Sequence, residues 1–242
     1  MSAAKLFVLG LGPGDPELMT VKAARILAAA PVVAFFAKSG RAGHARSIVD
    51  GQLKAGAEEL RFEYPFTTEL SVEDPRYLAE MGDFYDGCAV QLAERLQAGN
   101  DVALLCEGDP FLYGSAMYLF DRLSADYAAD VVPGVTGMSG CWSRAGLPMT
   151  HGDDVLSILP ATLDEARLLD RLKSCDAAVV MKVGRHLPKI SRVLREAGMF
   201  ERAFYVERGT MEGELITRLS AREDGPAPYF SMVLVPGRQG AR

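Results

Sequence analysis

The chain has 242 residues, of which 49% are apolar and 24% charged, with a mean hydropathy of +0.07. These are ordinary globular values and exclude long disorder. The formal net charge of −6 argues against a nucleic-acid binder, which normally carries an overall basic balance.

Residues 5–9 (KLFVL) read as a buried strand running into the loop Gly10-Leu-Gly-Pro-Gly-Asp-Pro-Glu. Helical spacing follows over 17–29, with Leu18, Val21, Ala24 and Leu27 on one side. Residues 32–36 (VVAFF) read as a second buried strand, 45–53 as a helix and 76–97 as a long helix weakened by Gly82 and Gly87. A strand at 102–106 (VALLC) leads into a second glycine-proline loop, then a helix at 115–124 and a short strand at 130–132. Beyond the turn Pro133-Gly-Val-Thr-Gly, a short helix spans 138–145. Strands are expected at 155–159, 177–181, 203–206, 215–218 and 230–235, with helices at 164–173 and 187–197. The first half therefore reads as β/α with parallel buried strands, and the second as a mixed sheet. The domain boundary falls near Pro133, giving units 1–133 and 134–242.

The four cysteines, Cys88, Cys106, Cys141 and Cys175, form no C-x-x-C pair and no zinc spacing, and read as small core residues with free thiols. Trp142 and Met138 read as buried, and His151 as structural. There is no signal-peptide pattern at Met1-Ser-Ala-Ala-Lys and no apolar stretch of the roughly 18 residues a membrane span needs, so a cytoplasmic protein is expected.

Open α/β sheets bind ligands beyond the carboxyl ends of their strands. Four loops fit that position: GLGPGDPE from Gly10, CEGDPFLYGS from Cys106, PGVTGMSG from Pro133, and Lys182-Val-Gly-Arg-His. A dinucleotide phosphate is disfavoured at the first, because Pro13 removes a backbone donor and Asp15 adds negative charge. Gly108 permits close main-chain approach, and Phe111 and Tyr113 add aromatic surface beside the carboxylates. Such a set suits a flat ring with hydroxyls and a positive centre. Asp109 could equally cap the next helix, but Gly-Asp-Pro recurs in two post-strand loops, at 14–16 and 108–110.

Taken in order, GLGPGDPELMT with Lys22-Ala23, EGDPF, PGVTG and Val206-Glu-Arg-Gly-Thr make the sequence resemble the tetrapyrrole (corrin/porphyrin) methyltransferases over nearly its whole length. CEGDPFLYGS, Ser139–Met149 and Met181-Lys-Val-Gly-Arg are most similar to the branch that methylates precorrin-2 at C20. Glu107 and Ser115 depart from the GGDPFxFGRG of the uroporphyrinogen-III branch. The resemblance implies two α/β domains with S-adenosyl-L-methionine held between them, a homodimer, and no membrane or nucleic-acid partner. Cofactor positions carried over are Pro13, Glu107, Gly108, Asp109, Thr136, Gly137, Val183 and Phe204, with Phe111 and Tyr113 close by. A cobalt-containing substrate, diphthine synthesis, a non-catalytic carrier and an NAD oxidoreductase are the rival readings.

The methyl donor is already activated, so positioning and water exclusion are the main tasks, and neither a covalent nucleophile nor a metal is expected. A proton acceptor could be Glu107, Asp109, Tyr113, His186 or Glu207. The many carboxylates of such a ring call for a basic pocket. Lys38, Arg41, His44 and Arg46 form one cluster, Lys182, Arg185 and His186 the favoured second, and Arg208 stands alone.

Overall fold

The computed structural model describes residues 4–66, 75–222 and 225–237. The chain forms two compact units, Met1–Gly137 and Met138–Arg242. In the first, β1 (Lys5–Gly10), α1 (Val21–Ala29), β2 (Val32–Lys38), α2 (His44–Ile48), β3 (Glu58–Tyr64), α3 (Pro75–Gln97), β4 (Val102–Cys106), α4 (Ala116–Leu123) and β5 (Ala128–Val132) follow one another. The strands lie in the order β3-β2-β4-β1-β5, every pairing parallel. Alternation along β4 shows why both faces need cover. Val102, Leu104 and Cys106 enter the core with Leu92 of α3 and Leu119 of α4. Ala103 and Leu105 enter the opposite core with Leu27 of α1 and Ile48 of α2.

Next comes α5 (Gly137–Arg144), followed by β6 (Leu156–Pro160), α6 (Glu165–Lys173), β7 (Ala177–Met181), α7 (Leu187–Glu196), β8 (Phe204–Glu207), β9 (Leu215–Arg218) and β10 (Ser231–Val235). This second sheet runs β6-β7-β10-β8-β9 and is mixed, with β6 parallel to β7 and the other neighbours antiparallel. Leu168 and Leu172 of α6 and Ile190 and Leu194 of α7 pack on Val180, Tyr205 and Val233.

The two expected sheet types are both present, but several elements differ. Strand β3 was not anticipated: in EELRFEY only Leu60 and Phe62 are buried, and the charged alternate positions suit its place at the sheet edge. The helix expected at 17–29 breaks in two, a 3-10 turn at Pro16–Leu18 and α1, whose N-cap Thr20 accepts from the Ala23 N–H. Its buried positions are Ala23 and Leu27, whereas Val21 is 86% exposed. The helix expected at 45–53 is only α2, one turn long. Cys88, Cys106 and Cys141 are buried and Cys175 only partly so; all four are free. Met138 is buried, Trp142 half-buried and His151 exposed.

Gly82 and Gly87 sit inside α3 with open space around a Cβ at either position. Gly82→Ala and Gly87→Ala are each expected to raise stability by about 0.5–1 kcal/mol, since alanine forms helix better and loses less entropy. Urea unfolding of the two variants checks this; a lower midpoint in both would contradict the unstrained helix.

Candidate active site

The turns after β1, β4 and β5 meet at backbone distance. The Leu11 N–H donates to the Cys106 carbonyl at 2.9 Å, and the Gly108 N–H to the Gly12 carbonyl at 2.7 Å. A Cβ on Gly134 would fall on the Gly108 carbonyl oxygen, and one on Gly10 would lie 2.5 Å from the Gly134 nitrogen. Only hydrogen fits at these two positions. The Asp109 carboxylate ties the same turns together: Oδ1 accepts from the Phe111 N–H at 2.9 Å and Oδ2 from the Gly134 N–H at 3.1 Å. Asp15 repeats half of this, accepting from the Glu17 N–H at 2.9 Å. The recurring Gly-Asp-Pro is thus an Asx turn in both loops.

Gly108 has φ +64, and a Cβ on it would sit 3.5 Å from the Gly137 nitrogen and 3.9 Å from the Thr136 Cα. Pro13, Gly108, Asp109, Thr136 and Gly137 are thereby brought into one cluster of turns. Phe111 and Tyr113 project from the same loop, 49% and 45% exposed. Tyr113 adopts a left-handed φ of +59, a strained backbone for a residue other than glycine. Glu107 is half-buried, and burial pushes its carboxyl pKa up, partly offset by the Ala45 and Glu107 backbone amides.

In the second unit, β7 and β8 each run antiparallel to β10, so their carboxyl ends share one sheet edge. At this edge Lys182 has φ +56, Val183 is fully buried and Gly184–His186 make a 3-10 turn. The turn after β8 is also strained, with Arg208 at φ +48 and Thr210 at φ +71. A Cβ on Gly209 would lie 2.6 Å from the Cys141 Sγ of α5. Glu214 accepts from the Thr210 N–H at 2.8 Å and pairs with Arg144 at 2.9 Å, which holds the Glu214 carboxyl below its usual range. The Thr210 hydroxyl is buried and has no partner among the described residues. Phe204 does not join this edge. It opens β8, level with Leu234 and, through it, Val179, and carries the Arg218 guanidinium over its ring at 4.1 Å.

The basic candidates divide the same way. Lys38, Arg41 and His44 are exposed at the end of β2 and the start of α2, and partial burial and Arg41 lower the His44 pKa. Arg46 is lost from the cluster as a ligand group: it forks onto Glu59 at 2.6 and 3.1 Å and reaches Asp50 at 3.3 Å. Lys182 and Arg185 are exposed. Burial, Lys189 and Arg185 together lower the His186 pKa. Glu207 is taken as a proton acceptor by the Tyr205 hydroxyl at 2.5 Å. No group of metal-binding side chains occurs among the described residues, and no helix among them is long and apolar enough to cross a membrane.

The family model for Tetrapyrrole (Corrin/Porphyrin) Methylases matches residues 5–223. The chain belongs to this family. It is 52% identical to a Precorrin-2 C(20)-methyltransferase of Sinorhizobium sp over 98% of this chain and 97% of that one. To the Cobalt-precorrin-2 C(20)-methyltransferase of Salmonella typhimurium it is 31% identical, over 96% and 95%. Among solved structures, cobalt precorrin-4 methyltransferase, CbiF, superposes with a TM-score of 0.71 at 24% identity, covering 96% of this chain and 94% of that one. In this tetrapyrrole methylase the sequence reading missed the strained, orphaned Thr210, although the left-handed turn it occupies was signalled by Glu-Arg-Gly-Thr at a strand end. It also missed Tyr64, which lies on the unanticipated strand β3.

Two expectations follow. Asp109→Ala leaves the Phe111 and Gly134 amides without their acceptor and should cost about 2–3 kcal/mol in urea unfolding; no loss would show the turns to be held otherwise. For Glu107 the raised pKa sets the sign: its stabilising contribution is full below the ordinary glutamate range and is lost as pH rises through the raised value. Glu107→Gln should therefore be more stable than the parent at pH 8, with the gap closing below about pH 4. A pH-independent gap would refute the raised pKa.

Proposed function

We propose that this tetrapyrrole methylase transfers a methyl group from S-adenosyl-L-methionine to C20, a meso carbon, of precorrin-2, forming precorrin-3A for corrin-ring synthesis. The observation that carries the reading is the 52% identity, over nearly the whole of both chains, to a relative named for that reaction. Metal-free precorrin-2 is preferred to the cobalt form because the relative named for the latter is 31% identical. A cytoplasmic homodimer belongs to the same reading.

The residues present suit the methyl donor. The turns at Gly10, Gly108 and Gly134 expose main chain where side chains would fill the space. Pro13 and the occupied Asp109 carboxylate leave no phosphate cradle, which fits a nucleoside without phosphates. Thr210 offers a buried hydroxyl still in want of a partner. Pro13, Gly108, Thr136 and Gly137 would hold the donor with Asp109 as their brace. When bound, the donor supplies a methyl group on a positively charged sulfur, already activated for in-line transfer to carbon.

The protein's own task is orientation and exclusion of water, which can contribute up to roughly 7–11 kcal/mol. The C20 proton then needs an acceptor. With Asp109 and Glu207 occupied, Glu107, Tyr113 and His186 remain, alongside solvent and the ring nitrogens. Lys182 and Arg185 would take substrate carboxylates, with Lys38 and Arg41 as a second group.

Anaerobic incubation with precorrin-2 and methyl-labelled S-adenosyl-L-methionine should place label on C20 by NMR. Label on another carbon, or none, would reject the assignment. Lys182→Glu and Arg185→Glu should each raise the precorrin-2 KM by about tenfold, the equivalent of ~1.4 kcal/mol, with S-adenosylhomocysteine binding unchanged in calorimetry. Unaltered kinetics in both variants would remove this loop from substrate binding.

A further inference from the structure

Ser115 stands at the N-cap of α4 yet makes no capping hydrogen bond with its side chain, unlike Thr20 on α1 and Asp164 on α6. Its hydroxyl is directed elsewhere. It accepts from the Tyr64 hydroxyl at 2.7 Å, across 51 residues of sequence. Tyr64 is the last residue of edge strand β3. One small side chain thus joins the loop after β4 to a strand tip that shares no sequence proximity with it.

The surroundings are aromatic. Phe36 stacks on Tyr64 at 5.2 Å, Phe84 packs against Tyr64 at 5.5 Å and Tyr118 stacks on Tyr85 at 4.6 Å. The loop held by Ser115 carries Phe111, set edge-on to Phe120 at 5.0 Å, and Tyr113 in its left-handed conformation. Gly114 closes the loop, since a Cβ there would lie 2.7 Å from both the Cys106 Sγ and the Pro110 carbonyl oxygen. A strained aromatic residue between two fixed points is held in place by its surroundings. The sheet order matters here. The glycine turns stand over β4, β1 and β5, whereas Tyr64 lies two strands to the other side of β4, about 10 Å away at ordinary strand spacing.

Resting on the function proposed above, we propose that Ser115 is a positioning residue for the tetrapyrrole: by holding the Tyr64 hydroxyl it fixes the loop on which Phe111 and Tyr113 form an aromatic bed for the flat ring. The methyl donor's turns are braced separately, by Asp109 and the glycine contacts. Loosening this hydrogen bond acts on one ligand and spares the other.

The test uses the full chain with Ser115→Ala, Tyr64→Phe and Ser115→Thr, the last retaining the hydroxyl. Binding of sirohydrochlorin, a stable oxidised tetrapyrrole, is read by absorbance, S-adenosylhomocysteine binding by calorimetry and folding by thermal melts. Ser115→Ala and Tyr64→Phe should weaken sirohydrochlorin binding about fivefold, ~1 kcal/mol, with S-adenosylhomocysteine affinity held within about twofold, and Ser115→Thr should restore the ring affinity. Unchanged ring binding in both variants, equal weakening of both ligands, or failure of Ser115→Thr to restore would overturn the proposal, as would a parent protein that binds no tetrapyrrole. A parent that binds the ring but transfers no methyl group would refute the proposed reaction alone, leaving this inference to be decided by the variants.

Discussion

The first unit depends on a contact that only hydrogen atoms permit. Gly10, Gly108 and Gly134 bring three strand-tip turns to main-chain distance, and the Asp109 carboxylate spans two of them by accepting from the Phe111 and Gly134 amides. Parallel strands end with unpaired backbone groups at the same edge, and those groups need partners. Here they find one another, and one carboxylate satisfies two amides that apolar surroundings would otherwise penalise. Crossing the turns this closely leaves backbone, and little side chain, between the carboxyl ends of β4 and β1. That is the surface a nucleoside with a cationic centre and no phosphate can use.

Charge follows the same economy. A chain of net charge −6 that handles a polycarboxylate must keep a few cations exposed and neutralise others in pairs. Arg46 with Glu59, Arg95 with Glu58, Arg144 with Glu214 and Arg192 with Glu165 are neutralised pairs. Lys182, with its left-handed φ of +56, and Arg185 are exposed at the short turn after β7. Spacing along the chain cannot separate the two kinds of cation, because the partner of each arginine comes from another element.

The legibility of the elements tracks the strength of their patterns. Strands buried on both faces, such as VALLC and AAVVM, announce themselves as unbroken apolar runs. β3 hides because an edge strand with a charged face looks like a surface loop. α1 was drawn too long because apolar Leu18 and Val21 fit a helical stripe, although Pro16 and the Thr20 cap begin the true helix later. The site splits likewise. The post-strand glycine loops were readable from Gly and Pro placement, while the Tyr64–Ser115 hydrogen bond joins two distant elements and leaves no mark on either of them.

By itself the sequence determined the two sheet types, the strand-tip position of the glycine loops and the family, because burial periodicity and turn chemistry are local properties of the chain. Tertiary structure alone decided that Asp109 and Glu207 are occupied, that Arg46 is neutralised, that Phe204 lies back along its strand, and that Ser115 bonds Tyr64 instead of capping its own helix. Each of these depends on which distant group arrives within about 3 Å of a polar atom, and strand order and register set that distance, not the residues on either side.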